Sequence, residues 1–174
     1  MSEPKFSIGI DLGTTHCALS YVDIGACDGE QVVQEVLQVP QLTAPGSVEA
    51  LGLLPSFIYL PHPSELAAGD LDLPWTNEQD HAVGEMARSR GAATPIRLVS
   101  SAKSWLCHAG VDRRAAILPN DAPPEVTRLS PLEASLRYLG HLRAAWDQAQ
   151  PDAPFVEQEI VVTIPASFDP AARE

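Results

Sequence analysis

The feature that most constrains the fold is a pair of short apolar segments near the N-terminus. Phe6–Leu12 (FSIGIDL) and His16–Val22 (HCALSYV) are rich in apolar residues, and only Gly13-Thr14-Thr15 separates them. Two such segments joined by a three-residue tip that contains glycine are typical of an antiparallel β-hairpin. The chain is therefore predicted to begin with a hairpin whose tip carries a glycine and two threonines.

Two further strands and a long loop are predicted after the hairpin. Gln31–Val39 contains β-branched residues in partial alternation, and Ser56–Leu60 is a short apolar run that follows Pro55. The segment from Pro61 to Asp80 contains three prolines and five carboxylates. We interpret it as a solvated surface loop, although loops of this length can also carry function.

Two helices are predicted in the middle of the chain. Gly84–Arg90 has a helical pattern that Gly91 would end, because glycine is the usual residue just past a helix C-terminus. Thr94-Pro95 is a helix-start pattern, with a capping side chain followed by proline at the first helical position. This second helix is predicted to run to about His108.

The strongest helix pattern covers Ser130–Ala149. Ser130 and Glu133 form a capping box, and Pro131 occupies the first turn. Four leucines and a tryptophan recur at helical spacing, which predicts that their face packs in the core. This stripe consists of Leu132, Leu136, Leu139, Leu142 and Trp146.

The last predicted strand is Glu159–Ile164, a continuous apolar run that is typical of a strand covered on both faces. Asp169-Pro170 then resembles the cap and first position of a new helix. The sequence stops at Glu174, about one turn into that helix. We interpret this ending as that of a truncated chain.

The composition argues against several classes of function. The chain has 174 residues with 23 acidic and 11 basic side chains, a formal net charge of −12. Because binding to nucleic acid needs clustered lysine and arginine, nucleic acid is not expected as a partner. No stretch has the apolarity of a membrane span, and no secretory signal is recognisable. The three cysteines lack CxxC spacing, which argues against a zinc site or a disulfide framework and favours the cytoplasm.

The tip of the predicted hairpin has the chemistry of a magnesium-phosphate site. Gly13 allows the backbone to approach a ligand, and successive N–H groups in a tight turn bind anions. Thr14 and Thr15 add hydroxyl donors, and Asp11 adds a carboxylate oxygen suited to Mg²⁺ or its water shell. The pattern is neither a Walker loop nor a GxGxxG motif. A plain hairpin with a polar tip accounts for these residues equally well.

The segment Phe6–Val22 closely resembles the first phosphate-binding hairpin of the DnaK-type heat-shock chaperones. Those proteins belong to the actin, sugar-kinase and heat-shock superfamily of ATPases. Four further segments resemble that family in the same order along the chain. They are Leu54–Ile58 (its Thr-Pro-Ser strand start), Val83–Arg88 (a helix entry), Ala102–Leu106 (the helix of the catalytic lysine), and Val161–Phe168 with the later Arg173.

The resemblance implies an α/β fold, a ribonuclease-H-like lobe with a mixed twisted sheet flanked by helices. Residues 1–41 and 130–174 would form the main subdomain, and residues 42–129 a smaller peripheral subdomain with connecting helices. The implied function is the first lobe of an ATP-hydrolysing chaperone of a divergent, bacterial type, involved in protein folding in the cytoplasm. The implied cofactors are ATP or ADP and Mg²⁺, and the implied partners of the full-length protein are client peptides and co-chaperones.

The resemblance also assigns roles to single residues. Lys103 would reach the γ-phosphate and the attacking water, and supply positive charge where negative charge must be stabilised. Only one other lysine, Lys5, occurs in the chain, so a lysine at this position is not expected by chance. The remaining roles are Asp11 as a Mg²⁺ ligand through water, Gly13, Thr14 and Thr15 as contacts to the β- and γ-phosphates, and Pro165 and Arg173 as an allosteric relay.

The sequence departs from the family pattern at His16 and Cys17, which replace the small polar pair usual after the two threonines. The loop from Pro61 to Asp80 is longer, and Val111–Leu129 is shorter and different. Two alternative functions stay open, a small-molecule kinase related to sugar kinases and a non-catalytic actin-like interaction protein. Because one lobe offers one wall to the phosphates, the chain alone is expected to bind ATP weakly and not to turn it over.

Overall fold

A computed structural model describes residues 3–27, 32–108 and 110–163 of the chain. The fold is mixed α/β. Ten strands and three α-helices lie in these ranges, together with 3-10 turns at Ile24–Ala26, Pro95–Arg97 and Phe155–Glu157. The strands are β1 (Phe6–Leu12), β2 (His16–Asp23), β3 (Glu35–Val36), β4 (Val39–Ala44), β5 (Ser47–Leu51), β6 (Leu54–Pro55), β7 (Ile58–Tyr59), β8 (Ala82–Val83), β9 (Leu98–Val99) and β10 (Glu159–Thr163). The helices are α1 (Glu85–Ala93), α2 (Ala102–Leu106) and α3 (Pro131–Ala149).

The main sheet is built around β1. It has the order β10-β1-β2-β3, in which β10 runs parallel to β1 and the other neighbours are antiparallel. The short strand β6 pairs with the start of β2. Alternate residues of β1 are buried, since side chains of a strand point to opposite faces in turn. The predicted strands Phe6–Leu12 and His16–Val22 are confirmed.

Helix α3 packs against this sheet through an aromatic cluster. The rings of Phe6, Tyr21 and Trp146 meet edge to face, with centroids 5.2 to 5.7 Å apart. The Trp146 indole N–H also donates to the Ala153 carbonyl oxygen at 2.8 Å, so the buried ring has no unsatisfied polar atom. The cluster ties the N-terminal hairpin to the far end of α3.

A second group of elements lies around α1. Strands β4 and β5 form a hairpin, and β8, β7 and β9 form a three-stranded antiparallel sheet. Their buried side chains make a small core of their own around Tyr59 and Met86. Residues from the same middle segment, such as Ile58 and Val99, belong to the larger core beneath the main sheet. The middle of the chain therefore contributes to both cores.

The predicted strand Gln31–Val39 is wrong in its extent. The structure has β3 at Glu35–Val36 and a new strand, β4, from Val39. Between them the Leu37 side chain is buried, and its amide donates to the Leu19 carbonyl oxygen at 2.9 Å. Because Leu37 enters the core, the chain leaves the main sheet and joins the β4–β5 hairpin. The predicted strand Ser56–Leu60 is likewise too long, because only Ile58–Tyr59 (β7) forms a strand there, and β6 lies just before it at Leu54–Pro55.

The predicted end of α1 at Gly91 and the predicted helix from Thr94 to His108 are both wrong. Helix α1 continues to Ala93, and Gly91 is a buried position inside it, where a Cβ atom would collide with the Leu98 side chain. Glycine is present because of this close packing and does not cap the helix. After a single 3-10 turn the chain forms β9, and Ser101 adopts a left-handed conformation with φ 56° before α2 begins.

The loop from Pro61 to Asp80 contains no helix or strand, as predicted. Helix α3 is also confirmed, but its predicted apolar face is only half right. Leu142 and Trp146 are buried, whereas Leu132 and Leu136 are 37% and 57% exposed. The buried face instead runs through smaller and polar residues, including Ala134, Tyr138 and His141.

The prediction that strand β10 is covered on both faces is wrong. Ile160, Val161 and Val162 are 38%, 56% and 39% exposed. Among the described residues β10 has one neighbouring strand, β1. None of the helices in residues 3–27, 32–108 and 110–163 has the length and apolarity needed to span a bilayer.

The capping box of α3 is formed as predicted, and it provides a test of the fold. Ser130 Oγ accepts a hydrogen bond from the Glu133 amide at 3.0 Å, and the Glu133 carboxylate accepts one from the Ser130 amide at 2.7 Å. Ser130→Ala is expected to lower the free energy of unfolding by about 1 kcal/mol, because the Glu133 amide loses its acceptor. Urea denaturation measures this change. Ser104→Ala, at an exposed position of α2, is the control, and equal midpoints for the two variants would contradict the role of the cap.

Candidate functional site

The tip of the β1–β2 hairpin is a tight turn that only glycine allows at its first position. The last paired residues are Leu12 and Cys17, so residues 13–16 form the turn. A Cβ atom on Gly13 would collide with the carbonyl oxygen of His16. Thr14 and Thr15 are exposed at the end of the hairpin. The tip therefore combines a closely folded backbone with two accessible hydroxyl groups.

Ser56 fixes the backbone of the tip through two hydrogen bonds. Its hydroxyl donates to the Gly13 carbonyl oxygen at 2.8 Å, and its amide donates to the Thr15 carbonyl oxygen at 2.9 Å. Ser56 is 3% exposed, and its Oγ lies 3.3 Å from the Sγ atom of the fully buried Cys17. Both ends of the tip are thus fixed by one buried residue from the neighbouring segment β6–β7.

Asp11 lies at the exposed end of β1, beside the tip. It is paired in register with Thr163 of β10, and the Thr163 hydroxyl donates to Asp11 Oδ1 at 2.9 Å. This hydrogen bond orients the carboxylate and leaves it accessible to a ligand at the same edge of the sheet.

Lys103 lies on α2. Ala102 and Leu106 are buried and fix this short helix, while Lys103 itself is half-buried. Burial raises the pKa of the Cys17 thiol, and the Asp11 carboxylate adds to the increase. The hydrogen bonds with Ser56 and Gly13 and the charge of the Lys103 ammonium act in the opposite direction. Lys103 and Asp11 therefore both lie close enough to Cys17, at the base of the tip, for their charges to act on the pKa of its thiol.

The predicted relay residues, Pro165 and Arg173, lie outside the described residues. His16 is half-buried at the end of the turn, and Cys17 is a core residue. The Tyr138 hydroxyl is buried without a hydrogen-bond partner in the described part of the chain, and burial raises its pKa.

The side chains at the tip can hold Mg²⁺ only together with a bound phosphate group. Within residues 3–27, 32–108 and 110–163, no cluster of three or more histidine, cysteine or acidic side chains could hold a metal ion. Asp11 offers a single carboxylate, one oxygen of which already accepts from Thr163. Magnesium commonly keeps several waters and uses one or two carboxylates together with substrate phosphates, so Asp11 fits this mode of binding.

The sequence matches no protein-family model, and no curated protein matches it significantly.

Sequence reasoning missed two residues that shape the site. Ser56 was part of a segment resembling the chaperone family, but its local sequence does not show that it binds both ends of the tip. Thr163 also lies in such a segment, Val161–Phe168, but its contact with Asp11 spans 152 positions and has no local signal. Both contacts depend on strand register, which is set by the fold as a whole.

The role of Ser56 is tested by removing its hydroxyl. Ser56→Ala is expected to lower the free energy of unfolding by about 1–2 kcal/mol, because the Gly13 carbonyl and the Cys17 thiol lose a buried partner. It is also expected to accelerate amide hydrogen exchange at Thr14 and Thr15, which NMR measures residue by residue.

Ser135→Ala is a matched control for this experiment. Ser135 is likewise buried, and its hydroxyl donates to the Pro131 carbonyl oxygen at 2.9 Å within α3. This variant is expected to destabilise the protein without changing exchange at the tip. If both variants accelerate exchange at Thr14 and Thr15 equally, Ser56 has no specific role there.

Proposed function

We propose that this chain forms the first lobe of the ATP-binding site of a DnaK-type chaperone ATPase. The observation that carries the proposal is the hairpin tip, fixed by Ser56, with the Asp11 carboxylate beside it, oriented by Thr163. Lys103 of α2 lies near enough for its charge to act on the pKa of Cys17 at the base of the tip. The parallel pairing of β10 with β1 beside the antiparallel hairpin supports an ATPase lobe of this superfamily.

The tip would bind the phosphates through its backbone and hydroxyl groups. Successive N–H groups of a tight turn form a concave anion site, and Gly13 keeps that site free of a side chain. Thr14 and Thr15 would add hydroxyl donors to the β- and γ-phosphates. Ser56, by fixing both ends of the turn, keeps these donors in place before the ligand arrives.

Asp11 and Lys103 would supply the charges at the reacting end of the nucleotide. Asp11, oriented by Thr163, would hold Mg²⁺ through its water shell, and the metal would neutralise phosphate charge. The Lys103 ammonium would stabilise the negative charge that develops on the γ-phosphate. In a chain of net charge −12, such a cation is needed to make the site attractive to a polyanion.

The chain contributes one wall to the nucleotide in this proposal, and a second lobe would contribute the other. In the full protein, ATP hydrolysis would drive the binding and release of client peptides in the cytoplasm, assisted by co-chaperones. The chain of 174 residues is accordingly expected to bind Mg-ATP with a dissociation constant in the millimolar range and without turnover.

Lys103→Ala tests the proposed charge. Titration of the ¹⁵N-labelled protein with millimolar Mg-ATP is expected to shift the amide resonances of Gly13, Thr14 and Thr15, and Lys103→Ala is expected to weaken this binding about tenfold or more. The other lysine provides the control, because Lys5 lies over the Phe6 ring, 5.0 Å from its centroid. Lys5→Ala is expected to leave the affinity unchanged. Shifts confined to other regions, or none at all, would refute the phosphate site.

Asp11→Asn tests the metal role separately. The substitution keeps the size of the side chain and an acceptor for Thr163, but it removes the negative charge that attracts Mg²⁺. The variant is expected to bind Mg-ATP more weakly than the wild type and to bind ATP in EDTA as well or better. Equal losses under both conditions, in the same NMR titration, would show that Asp11 does not act through the metal.

A further inference from the structure

A large cavity in the described part of the chain lies outside the proposed phosphate site. It has a volume of about 730 Å³ and is partly open. Its lining includes residues of the loop from Pro61 to Asp80 together with Glu125, Thr127 and, from α3, Arg137. None of the residues that shape the hairpin tip lines it. A cavity of this size is typical of a site for a small organic ligand.

The loop that walls the cavity is held in a fixed shape by its own contacts. The Glu65 carboxylate accepts hydrogen bonds from the Tyr59 hydroxyl at 2.8 and 2.9 Å and from Arg90 at 3.0 Å. Although burial opposes the effect, these bonds and one from the His62 amide hold the pKa of Glu65 below its usual value. Asp70 fixes the next turn by accepting from the Ala67 amide at 2.8 Å. A long irregular loop with such internal anchoring presents a preformed wall.

Two arginines line this cavity, Arg97 held by a hydrogen bond and Arg137 by a longer ion pair. Arg97 Nη1 donates to the Leu60 carbonyl oxygen at 3.1 Å. Arg137 Nη1 is buried, lies 3.7 Å from Asp80 Oδ1, and has no hydrogen-bond acceptor among the described residues. Asp80 is itself held by His81 at 2.6 Å. Arg97 is therefore oriented by its hydrogen bond and Arg137 by its ion pair with Asp80, and both residues are half-buried in the lining of the cavity.

The charges and the apolar lining together select a ligand class. Against the two arginines, the cavity is lined by three carboxylates, those of Asp72, Asp80 and Glu125. A cavity with this balance does not favour a multiply charged phosphate, but it matches a ligand that carries one carboxylate and one ammonium group. Leu60, Leu66 and Leu71 supply apolar surface for the body of such a ligand.

We propose that this cavity binds a small amphiphilic zwitterion, an apolar amino acid or short peptide. Its carboxylate would pair with Arg97 and Arg137, since planar guanidinium groups bind carboxylates well. Its ammonium group would lie near the exposed carboxylates of Asp72 and Glu125, and its side chain would contact the leucines.

Calorimetric titration with the dipeptide leucyl-leucine tests the proposal on the whole chain. Leucyl-leucine is expected to bind. Each of two analogues is expected to bind about tenfold more weakly or worse: leucyl-leucine amide, which lacks the carboxylate, and N-acetyl-leucyl-leucine, which lacks the ammonium group. Free leucine, run in parallel, distinguishes an amino-acid site from a peptide site. Absence of heat with both leucine and leucyl-leucine at millimolar concentration would overturn the proposal, as would stronger binding of inorganic phosphate.

Variants locate the binding in this cavity. Arg97→Gln is expected to weaken leucyl-leucine binding about tenfold, because it removes one partner of the carboxylate. Arg88→Gln is the matched control, since Arg88 pairs with Glu85 on α1 and does not line the cavity. Asp72→Asn, at an exposed position, should fold normally and weaken leucyl-leucine more than its N-acetyl form. Equal affinities for wild type, Arg97→Gln and Asp72→Asn would place the binding elsewhere and refute the assignment.

Discussion

The pairing of β1 with strands on both of its edges is the constraint on which the rest of the structure depends. Its seven residues are in register with β2 on one side, and five of them with β10 on the other. This double pairing sends alternate side chains into the core, where Phe6 meets Trp146 of α3. It also brings Asp11 beside both the hairpin tip and Thr163. A shift of one residue in either register would exchange the buried and exposed faces of β1 and separate these groups.

Anion binding by an acidic protein, as proposed here, requires its few cations to be placed at the site. Lys103, Arg97 and Arg137 are each half-buried, where the surrounding protein screens a charge less than bulk water does. Arg97 and Arg137 share their cavity with the carboxylates of Asp72, Asp80 and Glu125, which is why that cavity suits a zwitterion. The net charge of the chain therefore does not predict the charge at the proposed sites, which depends on a few side chains at fixed positions.

The sequence predicts best the elements whose signals are local. The β1–β2 hairpin follows from two apolar runs and a glycine-containing tip, and α3 follows from its capping box. The region from Gly91 to Leu106 was predicted wrongly, because its structure is determined by tertiary packing. Gly91 is required by contact with Leu98, and the left-handed Ser101 delays the start of α2. Of the candidate site, Asp11 and the tip are visible in the sequence, whereas the support from Ser56 and Thr163 arises from contacts across 43 and 152 positions.

The contact between Asp11 and Thr163 has a consequence for how the protein is made. Thr163 leaves the ribosome 152 positions after Asp11. The hairpin can form early from local sequence, but its carboxylate acquires its orientation only when β10 has emerged and paired. A nascent chain would therefore carry the Asp11 carboxylate without its orienting partner until these 152 positions have been synthesised. The order of translation itself would delay completion of the site proposed at the hairpin tip.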